Sequence, residues 1–166
     1  MVGKMSGKQN ALQRLILRVA MKRSVTAFFA NKIHHIDGMV LKLTRGKHTA
    51  SEIVGWPVVQ VTTIGAKTGK TYTLPLVGFF DGDKIALVAS SFGRQHSPGW
   101  YYNLKANPEC EVQFRGHSGK YTARETEGEE REKYWQMAVS YYEGYAQYEI
   151  RAAHRKIPVM ILEPAK

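Results

Sequence analysis

The apolar positions of this chain fall into two patterns, and the change between them organises the sequence. In "ALQRLILRVAMKRSVTAFFANKIHH" (11–35), Leu12, Leu15, Ile16, Val19 and Ala20 recur at helical spacing and give one apolar face. Arg14, Arg18, Lys22 and Arg23 lie around that face. Downstream the apolar residues gather into short β-rich runs separated by turn residues. "PVVQVTT" (57–63) is one such run, and "TYTLPLVGFF" (71–80) is the next. The turn "DGD" (81–83) joins the latter to "KIALVAS" (84–90) and predicts a hairpin. "CEVQFRG" (110–116) and "KYTARETE" (120–127) predict a second hairpin turning around His117–Gly119, and "IPVMILE" (157–163) a last strand.

Two stretches between the strands read as helices. "SPGWYYNLKANP" (97–108) predicts a short one, with Ser97 as N-cap, Pro98 in the first turn and Pro108 beyond the end. "TEGEEREKYWQMAVSYYEG" (126–144) predicts a longer one with its acids early, where the helix dipole favours them. Strands without regular βα alternation argue against a doubly wound sheet. A mostly β (α+β) fold follows: a small antiparallel barrel with peripheral helices and an N-terminal amphipathic helix.

Charge divides the chain at the same place. The net charge is +10 over 166 residues, and residues 1–48 hold +9 of it, with Asp37 as their one acid. The sequence therefore reads as a basic helical segment, 1–48, followed by a nearly neutral barrel domain, 49–166. A nucleic-acid module carries its basic patch on the folded body among exposed aromatics, so nucleic acid is not the expected partner. Two readings fit the basic segment. Its helix packs on the domain, or it rests on an anionic membrane face with Phe28 and Phe29 dipping into the interface. No uncharged run in it is long enough to span a bilayer. The lone cysteine, Cys110, excludes an internal disulfide and fits a reducing compartment. The expected location is cytoplasmic, peripheral on the inner face of the cell membrane.

Candidate chemistry narrows quickly. "GAKTGKT" (65–71) is not a triphosphate loop: Ile64 stands where that motif needs glycine, and a strand follows where it needs a helix. A strand–turn–strand corner remains, carrying Lys67, Thr68 and Lys70. It is either an ordinary turn with solvated lysines or a phosphate cradle of backbone N–H groups and ammonium charge. The histidines lack metal-ligand spacing, and no Gly-x-Ser-x-Gly elbow is present, so neither a metal site nor a serine hydrolase is expected. Four tyrosines crowd "SYYEGYAQYEIR" (140–151), and Tyr142, Tyr145 and Tyr148 recur every third residue. They are either packing on a helix or a wall of flat rings with polar tips.

In order and spacing, "TTIGAKTGKTYTLPL", "DGDKIALVAS", "SPGWYYNLKANPE", "EGEEREKYW", "YYEGYAQY" and "RKIPVMILEP" resemble the deazaflavin-dependent nitroreductase and quinone reductase family. The resemblance runs from about Val58 to Pro164. It implies a split β-barrel that uses coenzyme F420, an oxidoreductase passing a hydride to a flat electron-poor acceptor such as a quinone, nitroaromatic or enone. It implies cofactor contacts at Lys67, Thr68, Lys70, Val88, Ala89, Ser90, Ser91, Arg94, Pro98, Trp100 and Asn103. Tyr142, Tyr145 and Tyr148 would line the substrate side, with Tyr145 and Ser90 as catalytic groups. Ala66 and Tyr72 stand where the family usually carries arginine, which throws the coenzyme's anionic tail onto Lys67, Lys70 and Arg94. Two alternatives follow from those missing arginines: an FMN-dependent oxidoreductase of similar barrel fold, and a non-catalytic carrier of a flavin-like or lipid-like ligand at the membrane.

Overall fold

The computed structural model describes residues 57–165. The basic segment 1–48, with its amphipathic helix and its aromatic pair, lies outside the described residues. Six antiparallel strands close into a barrel: β1 (Val58–Ile64), β2 (Thr71–Asp81), β3 (Lys84–Val88), β4 (Glu109–Phe114), β5 (His117–Glu125) and β6 (Val159–Pro164), in the order β1-β2-β3-β6-β5-β4. Helix α1 (Gly99–Ala106) precedes β4, and α2 (Gly128–Tyr141) and α3 (Gly144–Arg151) precede β6. This is the expected α+β barrel with peripheral helices.

Two strands explain how the helices are held. β3 and β6 pair with Ile85 opposite Leu162 and Leu87 opposite Met160. Those four side chains point into the barrel, where they meet Val59, Val61, Val112 and Leu104. Their neighbours Ala86, Val88, Val159 and Ile161 point outward into a second apolar cluster with Tyr134, Trp135, Ala138 and the tyrosines of α3. A strand buried on both faces reads as an unbroken apolar run, as "KIALVA" and "IPVMIL" do. Burial on this scale, about 25 cal/mol for each Å² of apolar surface, fixes α2 and α3 against the outside of the barrel.

Three local expectations shift. The second hairpin turns at Arg115 and Gly116, whose φ values of 49° and 81° are both left-handed, and Phe114 pairs directly with His117. His117–Gly119 are thus strand residues. Arginine gives no turn signal in sequence; here its guanidinium lies 5.1 Å over the Phe114 ring. Ser97 does not cap α1: Pro98 occupies that position without a side-chain cap, and the Ser97 hydroxyl is used elsewhere. The long helix expected over 126–144 ends at Tyr141, because Tyr142 is extended, with a φ of −150° and ψ of 107°, and a separate helix follows. Gly144 starts α3. A Cβ there would sit 2.1 Å from Cε1 of Tyr142, so glycine makes room for that ring folded back over the break.

The barrel's outer surface carries one ionic network with a pH signature. Glu163 accepts from Nε of Arg124 at 3.2 Å and from Nζ of Lys84 at 2.6 Å, while Arg124 also makes a two-pronged pair with Glu130 at 2.7 and 2.8 Å. Arg124 first, then Lys84, hold the Glu163 carboxyl down to about 2 from the ordinary 4.5. A carboxyl depressed on folding stabilises the fold above its unfolded pKa and loses that contribution as pH falls through the folded one. Stability is therefore expected to drop between about pH 4.5 and 2. Urea midpoints measured across that window should flatten in Glu163→Gln; an unchanged slope would remove this network as the cause.

Candidate functional site

The corner between β1 and β2 folds on its own backbone and then docks on α1. Gly65 N–H donates to the carbonyl of Lys70 at 2.8 Å, and Gly69 N–H to that of Gly65 at 2.9 Å. Asn103 of α1 fastens the corner: its Oδ1 accepts from Ala66 N–H at 3.0 Å, and its Nδ2 donates to the buried hydroxyl of Thr63 at 3.2 Å. Asn107 Nδ2 donates to the carbonyl of Ile64 at 3.2 Å. Asn103 thus aims the corner, with each end of its amide bonded to a protein group. Lys67, Thr68 and Lys70 are exposed, and neither lysine makes an ion pair among the described residues. Tyr72, at a position where arginine was expected, stands against Gly65, and its hydroxyl bonds that of Thr68 at 3.1 Å.

The second part is the segment that leaves β3. Val88 and Ala89 are buried, one toward the outer cluster and one toward the barrel, and Ser90 is buried beside them. Ser91, Phe92 and Gly93 then follow with φ of 48°, 58° and 78°. Left-handed backbone at a serine and a phenylalanine is held only where the surroundings enforce it, since each costs on the order of 1 kcal/mol. One side chain enforces it here. Arg155 donates from Nη2 to the Ser90 carbonyl at 3.0 Å, from Nε to the Arg94 carbonyl at 3.2 Å and from Nη1 to the Ser97 hydroxyl at 3.3 Å. His154 Nε2 donates to the Gln95 carbonyl at 3.1 Å. Between this loop and the end of α3 lies an open groove of about 670 Å³.

The tyrosines form the third part. Tyr142, Tyr145 and Tyr148 are only 5%, 7% and 5% exposed. Their rings close a triangle of edge-to-face contacts at 6.0, 5.8 and 6.3 Å between centroids. Phe79 and Trp135 flank Tyr145 at 5.8 and 6.2 Å. Phe92 of the strained loop meets Tyr148 at 5.8 Å, which joins the loop to the triangle. Burial pushes the Tyr145 and Tyr148 hydroxyls far above the ordinary phenol range, and that of Tyr142 upward as well, so all three stay protonated at neutral pH.

Of the expected residues, Ser90 and Ser91 meet the tyrosines through Phe92 and Gly93, while Lys67, Thr68 and Lys70 share the corner that Asn103 holds through Ala66. Trp100 is buried in the barrel cluster, and Pro98 opens α1 beside the loop. Arg94 lies on the groove. Reading the sequence missed Arg155, His154 and Arg151. "RKIPV" held the signal, but nothing local shows that Arg155 reaches back 65 residues to Ser90.

Comparison with known proteins points to one family. A family model described as F420H(2)-dependent quinone reductase matches residues 30–164. An F420H(2)-dependent quinone reductase of Mycobacterium tuberculosis is 36% identical over 109 residues, covering 64% of this chain and 72% of its own. A solved F420-H2 dependent reductase is 46% identical, with a TM-score of 0.60 over 64% of this chain and 94% of that one. A second solved structure, described as a domain-swapped dimer, is 42% identical, with a TM-score of 0.63 over 76% and 92% of the two chains.

Proposed function

This chain belongs to the F420H(2)-dependent quinone reductase family, and from that premise we propose that this coenzyme F420-dependent reductase delivers a hydride to a quinone or a similarly flat, electron-poor nitroaromatic or enone. When bound, the reduced coenzyme supplies the hydride from a flat deazaflavin ring. The residues suit such a group. Lys67 and Lys70, without ion pairs among the described residues, offer ammonium charge on a corner aimed by Asn103, as a phosphate requires. Ser90 and Ser91 would hold the ring edge, on a loop that Arg155 keeps in a fixed and strained shape. That loop, pressed against the tyrosine triangle, is the observation that carries the reading. The tyrosines would keep water from the reacting face, and a protonated phenol can complete reduction of the acceptor by giving up its proton; we assign that step to Tyr145.

A fluorescence titration tests the cofactor assignment. Lys67→Ala is expected to weaken coenzyme F420 by about 1.5–3 kcal/mol, the range for a charge-assisted bond. An unchanged dissociation constant would take Lys67 out of the site. Steady turnover with a soluble quinone separates an enzyme from a carrier, which would bind the coenzyme and reduce nothing.

The segregation of +9 in residues 1–48 supports a further part of this reading, a peripheral association with the anionic inner face of the cell membrane, where quinones reside. Full-length protein should co-sediment with anionic vesicles and leave them as salt is raised. Removing residues 1–30 should abolish sedimentation. Binding that ignores salt, or survives the deletion, would count against it.

A further inference from the structure

The groove between the strained loop and the end of α3 is lined by Ser91, Arg94, His96, Ser97, Arg151 and His154, among others, and by no carboxylate. Arg94 and Arg151 make no ion pair among the described residues. Arg151 instead lies 5.7 Å over the Tyr148 ring, a contact that places its guanidinium at the groove. Arg155 adds a third guanidinium behind the rim, and α1 begins just past Ser97 with no side-chain cap. Like charges brought to one concave surface repel, and the repulsion is relieved when a counter-ion occupies the space between them. The walls are fixed, because Arg155 and His154 together tie the turn after α3 to Ser90, Arg94, Gln95 and Ser97. The site therefore differs from a spread of surface arginines: its shape is set before any ligand arrives.

We propose that this groove is an oxyanion site that takes a carboxylate or phosphate group, with Arg94 and Arg151 as its ligands. Two molecules could bring that chemistry: the coenzyme, through its anionic tail, or a separate anionic compound. The first possibility rests on the function proposed above; the site itself does not.

The test uses full-length protein, wild type and Arg94→Gln/Arg151→Gln, with Arg94→Lys/Arg151→Lys as the charge-keeping control. Circular dichroism and ligand-free melting first establish that the variants fold. In one arm, millimolar inorganic phosphate should raise the melting temperature of the wild type. It should raise that of the lysine pair in part, and that of the glutamine pair not at all. In the other arm, coenzyme F420 and its deazaflavin fragment without phosphate or glutamates are titrated by fluorescence. If the coenzyme occupies the groove, the glutamine pair weakens it about ten- to hundredfold and leaves the fragment unchanged. Lost phosphate protection with unaltered coenzyme affinity supports the site and assigns it to a separate anion. The proposal is overturned if neither phosphate nor coenzyme distinguishes wild type from the glutamine pair. It is equally overturned if the fragment weakens as much as the coenzyme, since the arginines would then merely hold the loop. Failure of the wild type to bind coenzyme at all would sink the cofactor reading, and phosphate alone would then decide the groove.

Discussion

Gly93→Ala is expected to produce the largest loss of stability of any single-methyl change in the described barrel. Gly93 sits at a φ of 78°, and a Cβ there would lie 2.6 Å from Cβ of Arg151 and 2.9 Å from the carbonyl oxygen of Tyr148. Two of its three nearest neighbours are main-chain atoms of α3, which cannot rotate aside as a side-chain tip can. The left-handed backbone adds a cost of its own for any residue with a Cβ. Strain and overpacking together should reach about 3 kcal/mol, summing the two ordinary ranges. The loop can relieve the clash only by leaving α3, which would pull Phe92 off Tyr148 and stretch the Arg155 bonds. Coenzyme affinity should therefore fall together with the denaturation midpoint. An alanine variant as stable as the wild type would mean that loop and helix are not packed as described. Gly144→Ala makes a useful contrast: the three atoms nearest its Cβ would all belong to the Tyr142 ring, a side chain rather than main chain.

Tyr145 separates packing from chemistry. Its ring touches Phe79, Trp135, Tyr142 and Tyr148, so Tyr145→Ala opens a cavity among aromatic rings and should cost about 3–5 kcal/mol. Tyr145→Phe keeps every ring contact and removes the hydroxyl. Its melting temperature should stay close to that of the wild type. If the hydroxyl supplies the proton, turnover should fall on the order of 10²-fold with coenzyme affinity little changed. Quinones can take the proton from water and blunt the loss, so a nitroaromatic belongs beside them. Full activity of Tyr145→Phe with both acceptors would retire the hydroxyl and leave the triangle as a wall alone.

How much of this was legible in the sequence depends on how local each signal was. The β2–β3 hairpin announced itself through "DGD", and Gly82 there is left-handed with a φ of 66°. The β4–β5 turn did not, because Arg115 adopts a conformation its own chemistry does not favour, and the strands around it decide. The tyrosine row was visible as spacing, but the spacing suggested one face of one helix. The break at Tyr142 turns that row into a triangle, and only the ring lying over Gly144 shows why. The corner lysines could be named from a motif, whereas the asparagine that aims them, Asn103, was read as a cofactor contact. Its partners are Ala66 and Thr63, far away in sequence and met only once the barrel has closed. Long-range bonds of the Arg155 kind leave no periodic trace at all.

The two-sided burial of β3 and β6 has a consequence for how the protein comes apart. Both apolar clusters take side chains from the same two adjacent strands, so neither is expected to melt while the other survives. Opening the barrel strips the floor from under α2 and α3, and detaching the helices exposes the outer face of the strands. The barrel and its helices should behave as one cooperative unit, with a calorimetric enthalpy equal to the van't Hoff value. In native-state hydrogen exchange, the amides of Ala86, Leu87, Met160 and Ile161 should be the last to exchange, opening only with global unfolding. The exposed corner at Lys67–Lys70 should exchange early, which leaves the phosphate end of the proposed site free to adjust while the ring end stays rigid.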